Sequence, residues 1–375
     1  MDNFNFYGEV IEPGNRLITS ISIGEDPLGR VLEIPVHIIH GVEPGPVLAI
    51  TAAIHGDELN GMSIIHHLAY GDDHISETKD DRLDPRKMRG TTVMLPMSNP
   101  EGVLLGTRET PDGRDMNRIF PGKEEGNQAQ RIAYTIFEAI TKYADYLIDI
   151  HTAPWTRDNI PHVRADFENK ECKKLARAFG TPIVLHSTGV HGTLRKEATD
   201  AGCPTILLET GTSNSFKIEN VRLGVKGILN SMSFLKMIDK EIVEPEYRVL
   251  VKKSRWVRSP CGGLLHVLVS GGDLVYKGQI VAHITDPFGS KVSDITSSCT
   301  GLVVGLATRP LVRSGDPLLH VVVVNKSLQR IEEALSAKDT TSQEYVEEVV
   351  DDIEGQNLDS VIFTHSSLWE NNNQS

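Results

Sequence analysis

Two short segments carry the residue types of a catalytic metal site. One is His55-Gly56-Asp57-Glu58; the other, far downstream, is Asp149-Ile150-His151. Each follows an apolar run that reads as a buried strand, Val47 to Ile54 before the first and Tyr146 to Ile150 before the second. Two imidazoles and one carboxylate at strand ends make the ligand set of catalytic zinc sites, which leave a fourth position for water. The set points to a metal-dependent hydrolase with one zinc ion per chain, bound by His55, Glu58 and His151. A strand ending at His55, a turn through Gly56 and a helix from near Asp57 let a first-turn glutamate swing back beside the imidazole. Asp149, two residues before His151, faces the same side of its strand and is placed to orient that ring.

A lone His-x-x-Glu says little. His37, His40, His66 and His67 show how freely this chain uses histidine, and they read as surface or packing residues. What singles out His55 and Glu58 is their occurrence together with His151 and with Glu209, which closes a third apolar run, Pro204 to Leu208. The bland alternative for Glu209 is a helix-capping or salt-bridged carboxylate.

The elements that must position these residues alternate. Strands are expected over 47–54, 91–96, 145–150, 182–186 and 204–209, and helices over 58–69, 127–142, 168–179, 193–201 and 217–238. This β/α alternation predicts an α/β fold, a mostly parallel sheet with helices on both faces, with ligands at the carboxyl ends of the strands. Residues 1–45 read as edge strands leading into it, so the hydrolase domain is expected over 1–244. Glu244-Pro245-Glu246 marks a boundary. Beyond it, over 245–325, short strands alternate with glycine turns, and Gly263-Leu264-Leu265 with Val275 to Ile280 is echoed by Gly301-Leu302-Val303 with Val312 to Pro317. Two related halves suggest a small all-β domain that resembles the biotinyl/lipoyl barrel-sandwich. The Met-Lys-Met hairpin of that fold is absent and Lys291 lacks its flanks, so a structural or gating module is the reading. The tail, 326–375, is expected to hold one short helix at 326–336 and an acidic run from Glu344 to Glu354.

A formal charge of -13 over 375 residues argues against nucleic acid or an anionic membrane as partner. Cys172, Cys203, Cys261 and Cys299 are scattered, as reduced thiols are. With no leader-like N-terminus and no run long enough to span a bilayer, cytoplasm is the expected location. Self-association stays open.

Further motifs give a resemblance. Asn99-Pro100, Arg108 and then Gly113-Arg114-Asp115-Met116-Asn117-Arg118-Ile119-Phe120-Pro121-Gly122 resemble the signature of the succinylglutamate desuccinylase/aspartoacylase family, a branch of the zinc carboxypeptidase superfamily. The His-Gly-x-Glu segment, the Asp-x-His segment and Leu208-Glu209-Thr210-Gly211 match in the same order, over about residues 45–235. The resemblance implies a zinc-carboxypeptidase-like fold and a role for each residue. A zinc ion polarises the amide carbonyl and acidifies its bound water. Glu209 takes the water's proton and passes it to the leaving amine. Asn117 and Arg118 clamp a substrate carboxylate, and Arg108 stabilises the oxyanion. The family sets that arginine about eight residues before the clamp arginine, whereas Arg108 precedes Arg118 by ten, so Arg114 is its rival. Arg195 matches an arginine of a substrate-facing loop. His191 stands where a tyrosine is expected; it either donates to the scissile group or packs at a helix start. His162, after Pro154-Trp155-Thr156-Arg157, is expected at the surface.

The function expected is zinc-dependent hydrolysis of the amide bond of an N-acyl amino acid or a related small molecule. The rivals are a metallocarboxypeptidase acting on peptides and a metal-binding protein without catalysis. Glu209 speaks against the second, because a metal store needs no general base.

Overall fold

The computed structural model describes residues 1–72, 74–75, 81–245 and 247–324, and the backbone of 360–363. The helix expected at 326–336 and the acidic run of the tail lie outside the described residues. The chain divides into two compact units. One comprises Met1–Pro154, Arg164–Phe179 and Ser187–Ile242; the other comprises Trp155–Val163, Gly180–His186 and Val243–Ser375.

The first unit opens with a two-stranded ribbon, β1 (Phe4–Phe6) and β2 (Glu9–Ile11). Its main strands are β3 (Arg16–Glu25), β4 (Val31–His40), β5 (Glu43–Ala52), β6 (Arg89–Leu95), β7 (Tyr146–Ala153) and β10 (Thr205–Thr212), in the order β3-β4-β6-β5-β7-β10. Its helices are α1 (Asn60–Tyr70), α2 (Pro100–Leu105), α3 (Gln128–Tyr143), α4 (Lys170–Phe179), α5 (Leu194–Asp200) and α6 (Ile218–Phe234). β6, β5, β7 and β10 pair in parallel. β4 pairs antiparallel with both β6 and β3, so the sheet is mixed, and the parallel pairing expected for most of it is confined to the strands that bear the site. The reason is the tight turn after β3, where Asp26 N–H donates to the Arg30 carbonyl and the Asp26 carboxylate accepts from the Leu28 and Arg30 N–H groups. A connection that short joins strands only antiparallel.

Alternation along the strands decides which helix meets which face. Ala49 and Leu147 lie in a core with Ile132 and Ile136 of α3 and Leu194 and Ala198 of α5. Ala52 and Ile150 face α1, whose Gly61 approaches so closely that a Cβ there would lie 2.7 Å from that of Ala52. Helices therefore cover both faces.

The second unit holds the start of β8 (Arg157–Ala165), then β9 (Ile183–His186), β11 (Tyr247–Val251), β12 (Ser254–Arg258), β13 (Gly263–Val267), β14 (Leu274–Val275), β15 (Ile280–Thr285), β16 (Lys291–Thr296), β17 (Gly301–Ala307), β18 (Leu311–Val312), β19 (Pro317–Val323) and β20 (Ser360–Phe363). One sheet runs β16-β15-β13-β18; β12, β19 and β17 form another run, and β17 also takes residues 157–159 of β8. β9 pairs with β11. These two pairings place 155–163 and 180–186 in the second unit, although both precede residue 244. Val257, Leu265, Val281, Ile284, Val303 and Leu319 share its core. Among the described residues no helix is long and apolar enough to cross a membrane.

Candidate active site

The loop that carries His55 and Glu58 leaves the sheet abruptly. β5 ends at Ala52, and Ala53 takes a left-handed backbone with φ 52°. Its carbonyl is held by the Asn99 N–H at 2.9 Å. The Glu58 N–H then closes a turn onto the His55 carbonyl at 3.1 Å, and α1 starts only at Asn60. Glu58 thus sits in the turn ahead of the helix, not in the first helical turn as expected. Gly56 is needed for space: a Cβ there would lie 2.0 Å from the backbone carbon of Gly102. Gly102 is in that place because Asn99 caps α2, accepting from the Gly102 N–H at 3.1 Å with Pro100 opening the helix. The Asn-Pro motif is therefore a helix start that presses on the ligand loop.

His55, Glu58 and His151 converge. Glu58 Oε1 lies 2.7 Å from His55 Nδ1, Glu58 Oε2 lies 2.8 Å from His151 Nδ1, and the two Nδ1 atoms are 3.2 Å apart. All three residues are buried. Each imidazole is gripped from behind: His55 Nε2 donates to Asp115 Oδ1 at 3.2 Å, and His151 Nε2 donates to Asp149 Oδ2 at 2.9 Å. Thr51 Oγ1 donates in turn to Asp149 at 2.7 Å. The two outer carboxylates hold the ring protons on Nε2 and leave both Nδ1 lone pairs turned toward the Glu58 carboxylate. Lone pairs packed this closely call for a cation between them. A tetrahedral zinc ion about 2.0–2.2 Å from each ligand spaces its ligands about 3.3–3.6 Å apart; the 3.2 Å between the two Nδ1 atoms is near this, and the Glu58 oxygens, at 2.7 and 2.8 Å, lie closer. The three residues form a group whose ligand atoms could hold one metal ion.

The protonation energetics agree. Burial works against charge on both rings, yet Glu58 and Asp115 raise His55, and Asp149 and Glu58 raise His151 well above the usual imidazole range. Burial also opposes ionisation of Glu58, but the two imidazoles outweigh it and hold the carboxyl far below its ordinary range. The cluster favours positive charge at its centre.

Arg108, and not Arg114, reaches this centre. Its Nη1 donates to Glu58 Oε1 and to His55 Nδ1, both at 3.1 Å, while Nη2 and Nε donate to Asp115 Oδ2 at 3.0 and 3.3 Å. Arg114 pairs with Asp112, and its side chain is 55% exposed. Asp115 therefore joins His55 to the arginine beside it. Glu209 stands in register with His151 on the neighbouring parallel strand, on the face that also carries Asp149 and Thr51.

The remaining expected residues are placed unequally. The buried Asn117 uses its side-chain oxygen to accept from the Leu194 N–H at 2.9 Å, which fastens the start of α5. Gly192, with φ 87°, backs directly onto Arg118: a Cβ there would lie 2.2 Å from the Arg118 carbonyl oxygen. Arg118 itself is exposed and donates to its neighbour's carbonyl at 2.6 Å. Arg195 is buried, and its guanidinium donates to the carbonyl and the hydroxyl of Ser187. His191 is 84% exposed beside Glu197. His162 is fully buried, with Nδ1 donating to the Ile160 carbonyl at 2.9 Å, so the surface position expected for it is wrong. It is an inward-facing residue of β8, a strand the sequence reading missed.

A profile of the succinylglutamate desuccinylase/aspartoacylase catalytic domain matches residues 44–235. The chain belongs to this family. The matched span holds every residue of the cluster, from His55 to Glu209. Among individual relatives of this chain is the N-alpha-acetyl-L-2,4-diaminobutyric acid deacetylase of Halomonas elongata. It is 27% identical over 322 residues, covering 82% of this chain and 90% of that protein. The crystal structure of a succinylglutamate desuccinylase/aspartoacylase from Rhodobacter sphaeroides superposes with a TM-score of 0.73 at 25% identity, covering 84% of this chain and 98% of that one. The ectoine utilization protein EutE (DoeB) of Ruegeria pomeroyi shares the fold, with a TM-score of 0.73 at 22% identity over 83% of this chain and 95% of that one. Within this family member, sequence reasoning passed over Asp115, whose place in the Asp-Met-Asn-Arg motif was the signal that could have found it.

Proposed function

We propose that the protein is a zinc-dependent deacylase that hydrolyses the amide bond of an N-acyl amino acid or a closely related small molecule. The observation that carries this is the buried convergence of His55, Glu58 and His151, with each ring anchored through Nε2 on its own carboxylate. The chain's relatives include a deacetylase of an acylated amino acid, which favours this substrate class over peptides.

A zinc ion would be held by His55, Glu58 and His151, where it would supply Lewis-acid polarisation of the acyl carbonyl and would acidify water. Glu209 accepts the water's proton and returns it to the leaving amine nitrogen. Arg108, oriented by Asp115, offers its guanidinium to the oxygen on which negative charge develops. Arg118 receives the free carboxylate of the amino acid at the exposed rim, and Asn117 fixes the backbone from which Arg118 projects. Arg195, pinned on Ser187, shapes the loop that carries His191, which stands exposed beside Glu197.

The test is hydrolysis of N-acetyl and N-succinyl amino acids, each as free acid and as methyl ester, with zinc and after chelation. Zinc-dependent release of the amine, with the free acid preferred by wild type and that preference reduced in Arg118→Ala, is expected. Equal kcat/KM on acid and ester in wild type would remove the carboxylate clamp. Undiminished turnover after exhaustive chelation would remove the metal.

A further inference from the structure

Arg164 has no part in the scheme above, yet it sits against Glu209. It lies next to the end of β8, within the first unit. Its Nη2 is 3.4 Å from Glu209 Oε1, and the glutamate side chain is only 14% exposed. The neighbouring cation is Arg195. That guanidinium is fixed, because it donates to both the carbonyl and the hydroxyl of Ser187. The two guanidiniums are close enough to feel one another: burial first, and then Arg164, pull Arg195 down to about 10. Arg164 is therefore within electrostatic reach of a pinned cation that repels it and lies beside a carboxylate that attracts it. Glu209 is a residue for which such a hold matters. The ladder between β10 and β7 is regular up to the Glu209–His151 pair and shifts immediately after it, with Gly211 at φ 78°. The sheet fixes the Glu209 backbone, but backbone pairing alone does not choose a carboxylate rotamer.

We infer that Arg164 is a positioning residue for Glu209, holding one carboxylate oxygen so that the other stays turned to the reacting water. The inference rests on the reading of Glu209 as proton acceptor. A hold of this kind acts in the transition state and not on substrate binding, so kcat and kcat/KM fall together when it is removed.

The experiment compares zinc-loaded, full-length wild type, Arg164→Gln, Arg164→Lys and Glu209→Gln. For Arg164→Gln we expect kcat lower by about 10- to 100-fold, because misplacing a reacting group by about an ångström costs up to about 10²-fold, with KM within about twofold. Zinc content and Tm should match wild type, and Arg164→Lys should fall between the two. A crystal structure of Arg164→Gln should show the Glu209 carboxylate turned from its original rotamer. Wild-type kcat in Arg164→Gln alongside an inactive Glu209→Gln would overturn the inference and leave the role of Glu209 standing. A raised KM at intact kcat would also overturn it and make Arg164 a substrate-binding residue. An active Glu209→Gln would overturn the reading of Glu209 itself, and the inference with it. Should Arg164→Gln not fold, Arg164→Lys carries the test: kcat reduced about 3- to 10-fold at unchanged KM supports the inference, and wild-type kcat overturns it.

Discussion

Asp115→Asn separates the two jobs of one carboxylate. Oδ1 of Asp115 takes the His55 Nε2–H at 3.2 Å and the Asn117 N–H at 3.0 Å, while Oδ2 takes two donors of Arg108 at 3.0 and 3.3 Å. An asparagine keeps the shape but has one acceptor oxygen, so either His55 or Arg108 must face an NH2 group that cannot accept from it. Each lost charge-assisted contact is worth about 1.5–3 kcal/mol. The carboxylate behind a ligand histidine typically accounts for about 10–100-fold in metal affinity. Asp149→Asn is the control, because Asp149 contacts His151 at 2.9 Å and Thr51 at 2.7 Å, whereas Arg108 is held by Asp115 and Glu58. Asp149→Asn is expected to weaken zinc binding about 10–100-fold in competition with a chromophoric chelator. Asp115→Asn should show that loss if its NH2 group faces His55, or a loss of about 100-fold in kcat at saturating zinc if it faces Arg108, since removing one oxyanion donor costs about 10²–10³. An Asp115→Asn protein that binds zinc within twofold of wild type and also turns over normally once saturated would refute this account.

Three further outcomes follow from the geometry and the charge states. Because His151 is raised well above the usual imidazole range and His55 is shifted in the same direction, zinc has to compete with protons at this site, and affinity should climb as pH rises. Titration calorimetry at pH 7 in buffers of different ionisation enthalpy should show this, and buffer-independent heats would contradict it. Gly56→Ala drives a Cβ into the Gly102 backbone at 2.0 Å and should lower stability by about 1–3 kcal/mol or more, visible as a reduced Tm; an unchanged Tm would mean that α2 yields freely. His37 is depressed to about 4, first by burial and then by Arg16 and His66, so its neutral form is the one the fold accommodates. Stability from this group is complete above the ordinary value near 6.5 and is lost as pH falls toward 4, amounting to about 2 kcal/mol between pH 7.5 and 5. Urea melts of His37→Gln should show a shallower acid limb than wild type, and parallel limbs would reject the assignment.

Much of the centre was legible because its parts are local. His55 with Glu58, and Asp149 with His151, are each brought together by three residues or fewer of chain, and the apolar runs before them are long enough to read as β5 and β7. The same holds for α3, where amphipathic spacing and the Asn127 capping box mark the start. What was not legible depends on partners distant in sequence. Arg108 and Arg114 look alike in the chain; only the fold shows that one reaches Glu58, fifty residues earlier, while the other turns to Asp112. His162 looked exposed because the residues before it, Arg157-Asp158-Asn159, are polar, yet they belong to β8, where an inward-facing side chain is buried whatever precedes it. Asn117, expected at the substrate, spends its side-chain oxygen on Leu194, a contact 77 residues long.

The charges around the site add a physical reason for an anionic substrate. Glu58, Asp115, Asp149 and Glu209 face Arg108, Arg164 and Arg195, and each carboxylate has an imidazole or a guanidinium beside it. A divalent ion adds two positive charges in a region where unpaired charge is costly. A substrate that brings a carboxylate offsets part of that charge, whereas its methyl ester does not. The preference for the free acid therefore need not come from Arg118 alone: part of it should survive in Arg118→Ala at low ionic strength and shrink as salt screens the field. A residual acid preference in that variant that ignores salt would separate the clamp from the field and reject this charge argument.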